Sequence, residues 1–183
     1  MQDADLFMGL AGIAGVFVGF GALIAVRSGA PSEPREVAQM RSIVAFGVLT
    51  VVAALAPVTL GRFDLDEHQV WALSSALYLA GLSVMLVAVF RTPEYRTMAA
   101  AEAEAARTPS GKRWLVVLQS FVLNGLYGLA TVLVPIVILL GVAPDLEAGL
   151  YFALVVLELL GAAWLLLWLV FSQRRPAPAL TAE

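Results

Sequence analysis

Five long runs of apolar residues are the feature that most restricts how this chain can fold. They cover positions 6–26, 42–60, 70–90, 114–142 and 149–171. Four of the runs contain no charged residue and the fifth contains one. About 20 helical residues cross a bilayer core of about 30 Å, and a strand exposed to lipid would leave backbone groups unpaired. The sequence therefore predicts an all-α integral membrane bundle of five transmembrane helices.

The overall composition excludes several other classes of protein. The chain is 61% hydrophobic and 14% charged, whereas soluble domains carry about 25% charged residues. The formal net charge of −3 does not favour a nucleic-acid partner, which needs a basic face. The absence of cysteine excludes disulfides, thiolate metal sites, iron–sulfur clusters and c-type haem. We predict no cofactor, and the lipid bilayer as the main partner.

The charged residues between the runs predict the orientation of the chain. Ten of the eleven Lys and Arg residues follow the first, third and fifth runs. The N-terminal segment and the other two connections contain seven acidic residues and only Arg62. Basic segments remain in the cytoplasm by the positive-inside rule. We predict an external N-terminus, a cytoplasmic C-terminus and a location in a bacterial cytoplasmic (inner) membrane.

Three segments outside the runs carry local signals. A Thr-Pro step followed by an alanine-rich stretch predicts a cytoplasmic helix over about 93–107. Asp66 and Gln69 have the spacing of a capping box at the start of the third span. Residues 172–183 contain two prolines and predict a disordered cytoplasmic tail.

Small residues recur at helical spacing inside the spans. They allow close contact between helix backbones, which matters because lipid is as apolar as leucine and does not drive helices together. The candidates for helix packing are Gly12, Gly15, Gly19, Gly47, Gly128 and Gly161. The sequence leaves open whether these faces pack within one chain, line a cavity or join copies in a homo-oligomer.

Glu158 is the one charged residue inside a run, nine residues after its start. An ionised carboxylate near mid-bilayer costs at least ~2.5 kcal/mol. We therefore expect it to face the bundle and either find polar partners or stay protonated. Gly161, one turn later on the same face, should let another helix come close. Polar residues expected at a similar depth are Asn124, Tyr127, Thr131, Tyr78, Ser75 and Thr50.

The sequence supports two hypotheses for Glu158. It is a proton or cation site of a transporter, as many intramembrane acids are. Alternatively, it is a protonated side chain that bonds to Asn124 or Tyr127 and joins helices, an interaction worth about 0.6 kcal/mol on average.

Four residues near the end of the second connection, Asp64, Asp66, Glu67 and His68, are a weak candidate for metal binding. Carboxylates and imidazole are metal ligands, but the spacing matches no established metal-binding loop. We predict no metal site, and we expect His68 to be a solvated loop residue.

The sequence contains no catalytic triad, zinc-protease motif or nucleotide-binding loop. We favour a non-enzymatic structural or partner subunit that binds an unidentified membrane protein. The main alternative is a small homo-oligomeric transporter or channel that uses Glu158. A lipid-active enzyme has the least support, because no acid, base and nucleophile are paired near either membrane face.

Overall fold

A computed structural model describes residues 4–27, 34–93, 95–97, 100 and 113–172. Within its helices, the side chains of residues 24–27, 34–36, 38–39, 113–124, 168–169 and 171–172 lie outside the description. The five long helices are α1 (Ala4–Arg27), α2 (Pro34–Leu60), α3 (Glu67–Phe90), α4 (Arg113–Leu139) and α5 (Glu147–Ser172). A 3-10 turn, Pro144–Leu146, leads into α5, and the described residues include no β-strand. The predicted all-α class is confirmed.

Four of the helices are long and apolar enough to cross a membrane. The qualifying segments are Ala4–Leu23, Met40–Leu60, Glu67–Phe90 and Pro144–Leu167. Helix α4 has 27 residues, but its side chains are described only from Gly125, and the apolar part Gly125–Leu139 is shorter than a span. Helices long and apolar enough to cross a membrane are thus confirmed for four runs, while the fifth span and the orientation stay predictions.

Many large apolar side chains lie on the outside of the bundle, and several polar side chains lie inside it. Large apolar side chains such as Val84, Leu140 and Trp164 are 65% to 71% exposed. The buried polar residues are Thr50, Ser74, Ser75, Thr131, Glu147 and Glu158. Lipid accepts apolar side chains and offers no partner to polar ones, so this exterior is compatible with a bilayer.

Helix α5 lies at the centre of the bundle. It packs against each of the other four helices, and successive helices from α1 to α5 also pack in chain order. The shared core includes Phe7 of α1, Ala53 of α2, Trp71 of α3 and Tyr151 of α5. Residues on the inward face of α5 are therefore shielded by neighbouring helices.

The ends of the helices follow local signals that hydropathy does not contain. Helix α4 ends at Leu139, three residues before the predicted limit of 142. Gly141 has φ of +60°, its N–H donates to the Ile138 carbonyl at 3.0 Å, and the Val142 N–H donates to the Val137 carbonyl at 3.3 Å. This Schellman pattern terminates a helix and favours glycine.

Helix α2 begins at Pro34, eight residues before the predicted span. Proline is tolerated in the first helical turn, where the backbone N–H has no helical partner. The capping box of α3 is confirmed, because the Gln69 N–H donates to Asp66 Oδ1 at 2.8 Å and the Asp66 N–H donates to Gln69 Oε1 at 3.3 Å.

Two predictions lie largely outside the described residues. Of the predicted cytoplasmic helix over 93–107, residues 93, 95–97 and 100 are helical, and the others are outside the description. Of the predicted tail, only Ser172 is described, and it is the last residue of α5 and not disordered. The helix continues there because the apolar run extends to its edge.

Candidate functional site

Glu158 joins three helices through its two carboxyl oxygens. The Tyr78 hydroxyl of α3 donates to Oε1, and the Tyr127 hydroxyl of α4 donates to Oε2 at 2.8 Å. Glu158 is 0% exposed and Tyr78 is 1% exposed. We call Glu158, Tyr78 and Tyr127 the carboxyl–tyrosine cluster. Both carboxyl oxygens are thus satisfied inside the bundle without solvent.

A glycine on α5 makes room for one of the two tyrosines. A Cβ atom on Gly161 would lie 2.7 Å from the Tyr127 hydroxyl oxygen and 3.0 Å from Tyr127 Cζ. Real side chains do not approach so closely without a shift of the neighbour. Gly161 therefore lets the Tyr127 ring cross α5 one turn beyond Glu158, where its hydroxyl reaches the carboxyl.

A second contact joins α3 and α5 near their first residues. His68 Nδ1 lies 2.8 Å from Glu147 Oε1, and Glu147 is 2% exposed. Tyr78 and Glu158 each lie 11 residues after the first residue of their helix, about 16 Å further along. The two helices thus run in the same direction, and the two contacts fix their register.

Tyr151 compensates for a proline in α2. Pro57 has no N–H, so the Ala53 carbonyl four residues earlier loses its helical partner. The Tyr151 hydroxyl donates to that carbonyl at 2.9 Å, with the Ser74 carbonyl at 3.4 Å. The rings of Phe7 and Trp71 lie 6.2 Å and 5.7 Å from the Tyr151 ring and surround it. The backbone defect of α2 is therefore satisfied from α5.

Three of the other polar residues expected beside Glu158, namely Thr50, Thr131 and Ser75, do not bond to it. Thr50 donates to the Phe46 carbonyl of its own helix at 2.8 Å. Thr131 donates to the Gly128 carbonyl of its own helix at 3.0 Å, and its side chain also lies beside the Tyr78 hydroxyl. Ser75 Oγ is buried without a hydrogen-bond partner among the described residues. The Asn124 side chain lies outside the description. Position along a helix does not by itself specify which way a side chain points.

The predicted packing glycines divide into two groups. Besides Gly161, Gly47 lies at a helix contact, since its Cβ would be 2.5 Å from Val18 Cγ2. The others, Gly12, Gly15, Gly19 and Gly128, have no described neighbour within 4 Å of a Cβ position. No described contact therefore supports intrachain packing at these four positions, and the prediction for them stays untested.

The inward face of α1 explains why its glycines Gly12, Gly15 and Gly19 have open space beside them. It carries Phe7, Ala11, Ala14, Val18 and Gly21, of which all but Val18 are buried. The successive steps of four, three, four and three residues keep them on one face. The glycine stripe lies on another face of α1, so a contact between copies of the chain stays a prediction for it.

The candidate metal residues do not converge. No group of three His, Asp or Glu side chains in the described ranges is arranged to hold a metal ion. Asp66 caps α3, and His68 contacts Glu147 of another helix. The His68 side chain is half exposed, so the expectation of a merely solvated histidine omitted its partner across the bundle.

Sequence reasoning missed the roles of Tyr151 and Glu147. Pro57 was a usable signal for Tyr151, because a proline inside a span frees a carbonyl that some donor at the same depth must satisfy. No comparable signal pointed to Glu147, which resembles any acidic residue in a first helical turn.

The hydrogen bonds of Glu158 hold α3, α4 and α5 together. Access of water to the carboxyl group would allow it to exchange a proton. Carboxyl and phenol groups both donate and accept hydrogen bonds when protonated. Comparison with protein-family models, curated proteins and solved structures found no match.

Proposed function

We propose that this chain is a non-enzymatic integral membrane protein, a structural or partner subunit, in which the carboxyl–tyrosine cluster holds α3, α4 and α5 in one arrangement. The observation that supports this proposal is the complete pairing of the Glu158 oxygens at 0% exposure. A solute site needs access from at least one side of the membrane, whereas a packing contact needs none.

The proposal includes five spans, with α4 as the fourth. Tyr127 bonds to Glu158, which lies about 16 Å along α5 and hence near mid-bilayer. Apolar residues continue along the sequence on both sides of Tyr127, over 114–142. An N-terminus outside and a C-terminus in the cytoplasm then follow from the distribution of basic residues. The short connections and this asymmetry favour a bacterial inner membrane.

Infrared spectroscopy of the protein in lipid vesicles tests the role of Glu158. The variant Glu158→Gln identifies the carboxyl signal by difference. A packing contact predicts a signal that stays constant as the external pH goes from mildly acidic to mildly alkaline. Tyr78→Phe and Tyr127→Phe should each lower the free energy of unfolding by about 0.6–1.7 kcal/mol. A carboxyl signal that follows the external pH would contradict the proposal.

A role as partner subunit predicts stable association with another membrane protein. Affinity purification from the native membrane in mild detergent should recover that partner in fixed proportion. Glu158→Gln should affect this assembly only and should leave ion flux unchanged. Recovery of the chain alone, in repeated preparations in different mild detergents, would argue against this role.

The second candidate is a homo-oligomeric transporter or channel with a proton or cation site at Glu158. The buried Ser75 hydroxyl, which has no hydrogen-bond partner among the described residues, favours it, because Ser75 precedes Tyr78 by one turn of α3. Flux into vesicles along a pH gradient measures this activity. Transport predicts a flux that Glu158→Gln abolishes and Ser75→Ala alters, while Ser83→Ala, at an exposed position of the same helix, leaves it unchanged.

A further inference from the structure

A fourth polar side chain lies at the edge of the carboxyl–tyrosine cluster. Thr131 of α4 comes four residues after Tyr127, hence on the same face of that helix, and it is 3% exposed. Its side chain lies beside the Tyr78 hydroxyl of α3. That hydroxyl also bonds to Glu158 Oε1, so the Tyr78 oxygen has a polar neighbour on α4 and another on α5.

The Thr131 hydroxyl is oriented to accept a hydrogen bond from Tyr78. Its own hydrogen is donated to the Gly128 carbonyl at 3.0 Å, within α4. A threonine hydroxyl has one hydrogen and two lone pairs, so its lone pairs remain available. Thr131 therefore provides an acceptor beside the Tyr78 oxygen and not a competing donor.

The need for this acceptor depends on whether Glu158 is ionised or neutral. An ionised carboxylate only accepts hydrogen bonds, so Tyr78 and Tyr127 both donate to it and Thr131 is not required. A neutral carboxyl has a hydrogen of its own, and only one hydrogen fits between Glu158 Oε1 and the Tyr78 oxygen. If the carboxyl donates there, the Tyr78 hydrogen needs another acceptor.

Thr131 Oγ1 is that acceptor among the described side chains. In the neutral cluster, Glu158 donates to Tyr78, and Tyr78 donates to Thr131. Thr131 still donates to the Gly128 carbonyl, and the Tyr127 hydroxyl still donates to Glu158 Oε2. Each of these buried hydrogens then has an acceptor, which avoids the cost of an unsatisfied polar group.

The surroundings of Glu158 favour the neutral form. Its side chain is 0% exposed, and its two described partners are tyrosines, which carry no compensating positive charge. An ionised carboxylate is costly inside a membrane bundle under these conditions. A neutral carboxyl avoids that cost but adds one hydrogen to the cluster.

We propose that Thr131 is the positioning residue that lets Glu158 remain neutral and fully hydrogen-bonded, by accepting the hydrogen that the carboxyl displaces from the bond with Tyr78. Thr131 acts through Tyr78 and does not itself bond to Glu158. The inference rests on the proposed packing role of the cluster, and it extends that role to a fourth side chain and to one protonation state.

Infrared difference spectra of the wild type against Glu158→Gln, in lipid vesicles, show whether the carboxyl is neutral, because protonated and ionised carboxyl groups absorb at separate frequencies. The wild type should give the C=O stretching band of a neutral carboxyl. Thr131→Val keeps nearly the same shape and removes the acceptor. It should move this band to higher frequency or replace it with carboxylate bands, whereas Thr131→Ser should keep the band at its wild-type position.

Thr50→Val is the matched control for loss of a buried threonine hydroxyl. Thr50 is 0% exposed and donates to the Phe46 carbonyl within its own helix, so its loss should leave the band unchanged. In a Tyr78→Phe background, Thr131→Val should cause no further shift, because the residue through which Thr131 acts has lost its hydroxyl. If Thr131→Val fails to fold, Thr131→Ala removes the same acceptor with a smaller side chain and should shift the band in the same direction.

Two results would overturn the inference: carboxylate bands alone in the wild type, or an unchanged C=O band in the folded variant that lacks the Thr131 hydroxyl. Both differ from a failure of the packing role, which a carboxyl signal that follows the external pH would show.

Discussion

At the scale of single residues, the contact between Tyr151 and the Ala53 carbonyl shows how a membrane protein satisfies a local backbone defect. Pro57 removes one hydrogen bond from α2, and lipid offers no replacement donor. The hydroxyl on α5 supplies it at 2.9 Å. Tyr151 of α5 therefore replaces the hydrogen bond that Pro57 removes from α2.

This pairing predicts a non-additive double mutant. Tyr151→Phe should lower the free energy of unfolding by about 0.6–1.7 kcal/mol. In a Pro57→Ala background the same change should have a smaller effect, because the new backbone N–H at position 57 then bonds to the Ala53 carbonyl. Unfolding titrations in mixed micelles measure both values, and Tyr95→Phe, at a tyrosine that follows α3, is the control. Equal effects in the two backgrounds would refute the pairing.

Glu158 and its partners illustrate what depth along a helix predicts. Counting turns placed Tyr78 and Tyr127 at the level of Glu158, and both bond to it. The same counting also selected Thr50 and Thr131, which bond within their own helices. Depth is a one-dimensional coordinate, and the rotation of each helix about its axis decides which side chains meet.

At the scale of helices, α3 and α5 are held in register by two contacts, one between His68 and Glu147 near their first residues and one between Tyr78 and Glu158. A separate bond joins α4 to α5, that of Tyr127 to Glu158, and it depends on Gly161, which accommodates the Tyr127 ring. Another glycine of α5, Gly149, has open space at its Cβ position among the described residues. Comparing alanine substitutions at these two glycines therefore separates the effect of packing from the effect of helix propensity.

Gly161→Ala should lower the free energy of unfolding by about 1–3 kcal/mol through overpacking. Gly149→Ala should not lower it, because the new methyl group meets no described neighbour and alanine has the higher helix propensity. Tyr127→Phe removes the hydroxyl nearest the new methyl group and should make Gly161→Ala less destabilising. Unfolding in mixed micelles measures all three, and equal effects of the two alanine substitutions would contradict the assigned geometry.

The contact between α1 and α2 permits a similar comparison. A Cβ on Gly47 would lie 2.5 Å from Val18 Cγ2, whereas one on Gly15 meets no described atom within 4 Å. Gly47→Ala should therefore lower the free energy of unfolding by about 1–3 kcal/mol, and Val18→Ala should relieve that loss. Gly15→Ala should leave the stability of the monomer within about 0.5 kcal/mol of the wild type.

Sedimentation in detergent separates monomer stability from assembly. If the glycine stripe of α1 joins copies of the chain, Gly15→Leu lowers the mass of the particle without unfolding it. An unchanged mass would remove the stripe from consideration as a homo-oligomer contact. Destabilisation by Gly15→Ala itself would contradict the open position of that residue.

At the scale of the whole molecule, the other four helices pack around α5, and the described exterior is apolar. The five proposed spans would place the two ends of the chain on opposite sides of the membrane. Introduced cysteines can report this arrangement specifically, because the native sequence has none.

Asp64→Cys and Asp145→Cys, both at exposed positions between helices, should react with a membrane-impermeant maleimide added to intact cells. Thr97→Cys should react only after the membrane is permeabilised. Leu160→Cys, on the exposed face of α5, should stay unreactive within lipid and serves as the control. Labelling of positions 64 and 97 from the same side would refute the proposed topology.

The helical class, the approximate extent of the apolar runs and the capping box of α3 can all be read from the sequence, because each depends on neighbours along the chain. The sequence also identified Glu158 as exceptional, since an acid within a span is energetically unfavourable without a partner. Tertiary structure decided the rest: the bonds of Tyr78 and Tyr127 to Glu158, the open position of Gly12, Gly15 and Gly19, and the pairing of Tyr151 with Ala53. These contacts depend on how each helix is rotated about its axis and on which helices are adjacent. A nearly uniform apolar span shows neither the rotation nor the neighbours in its own residue pattern.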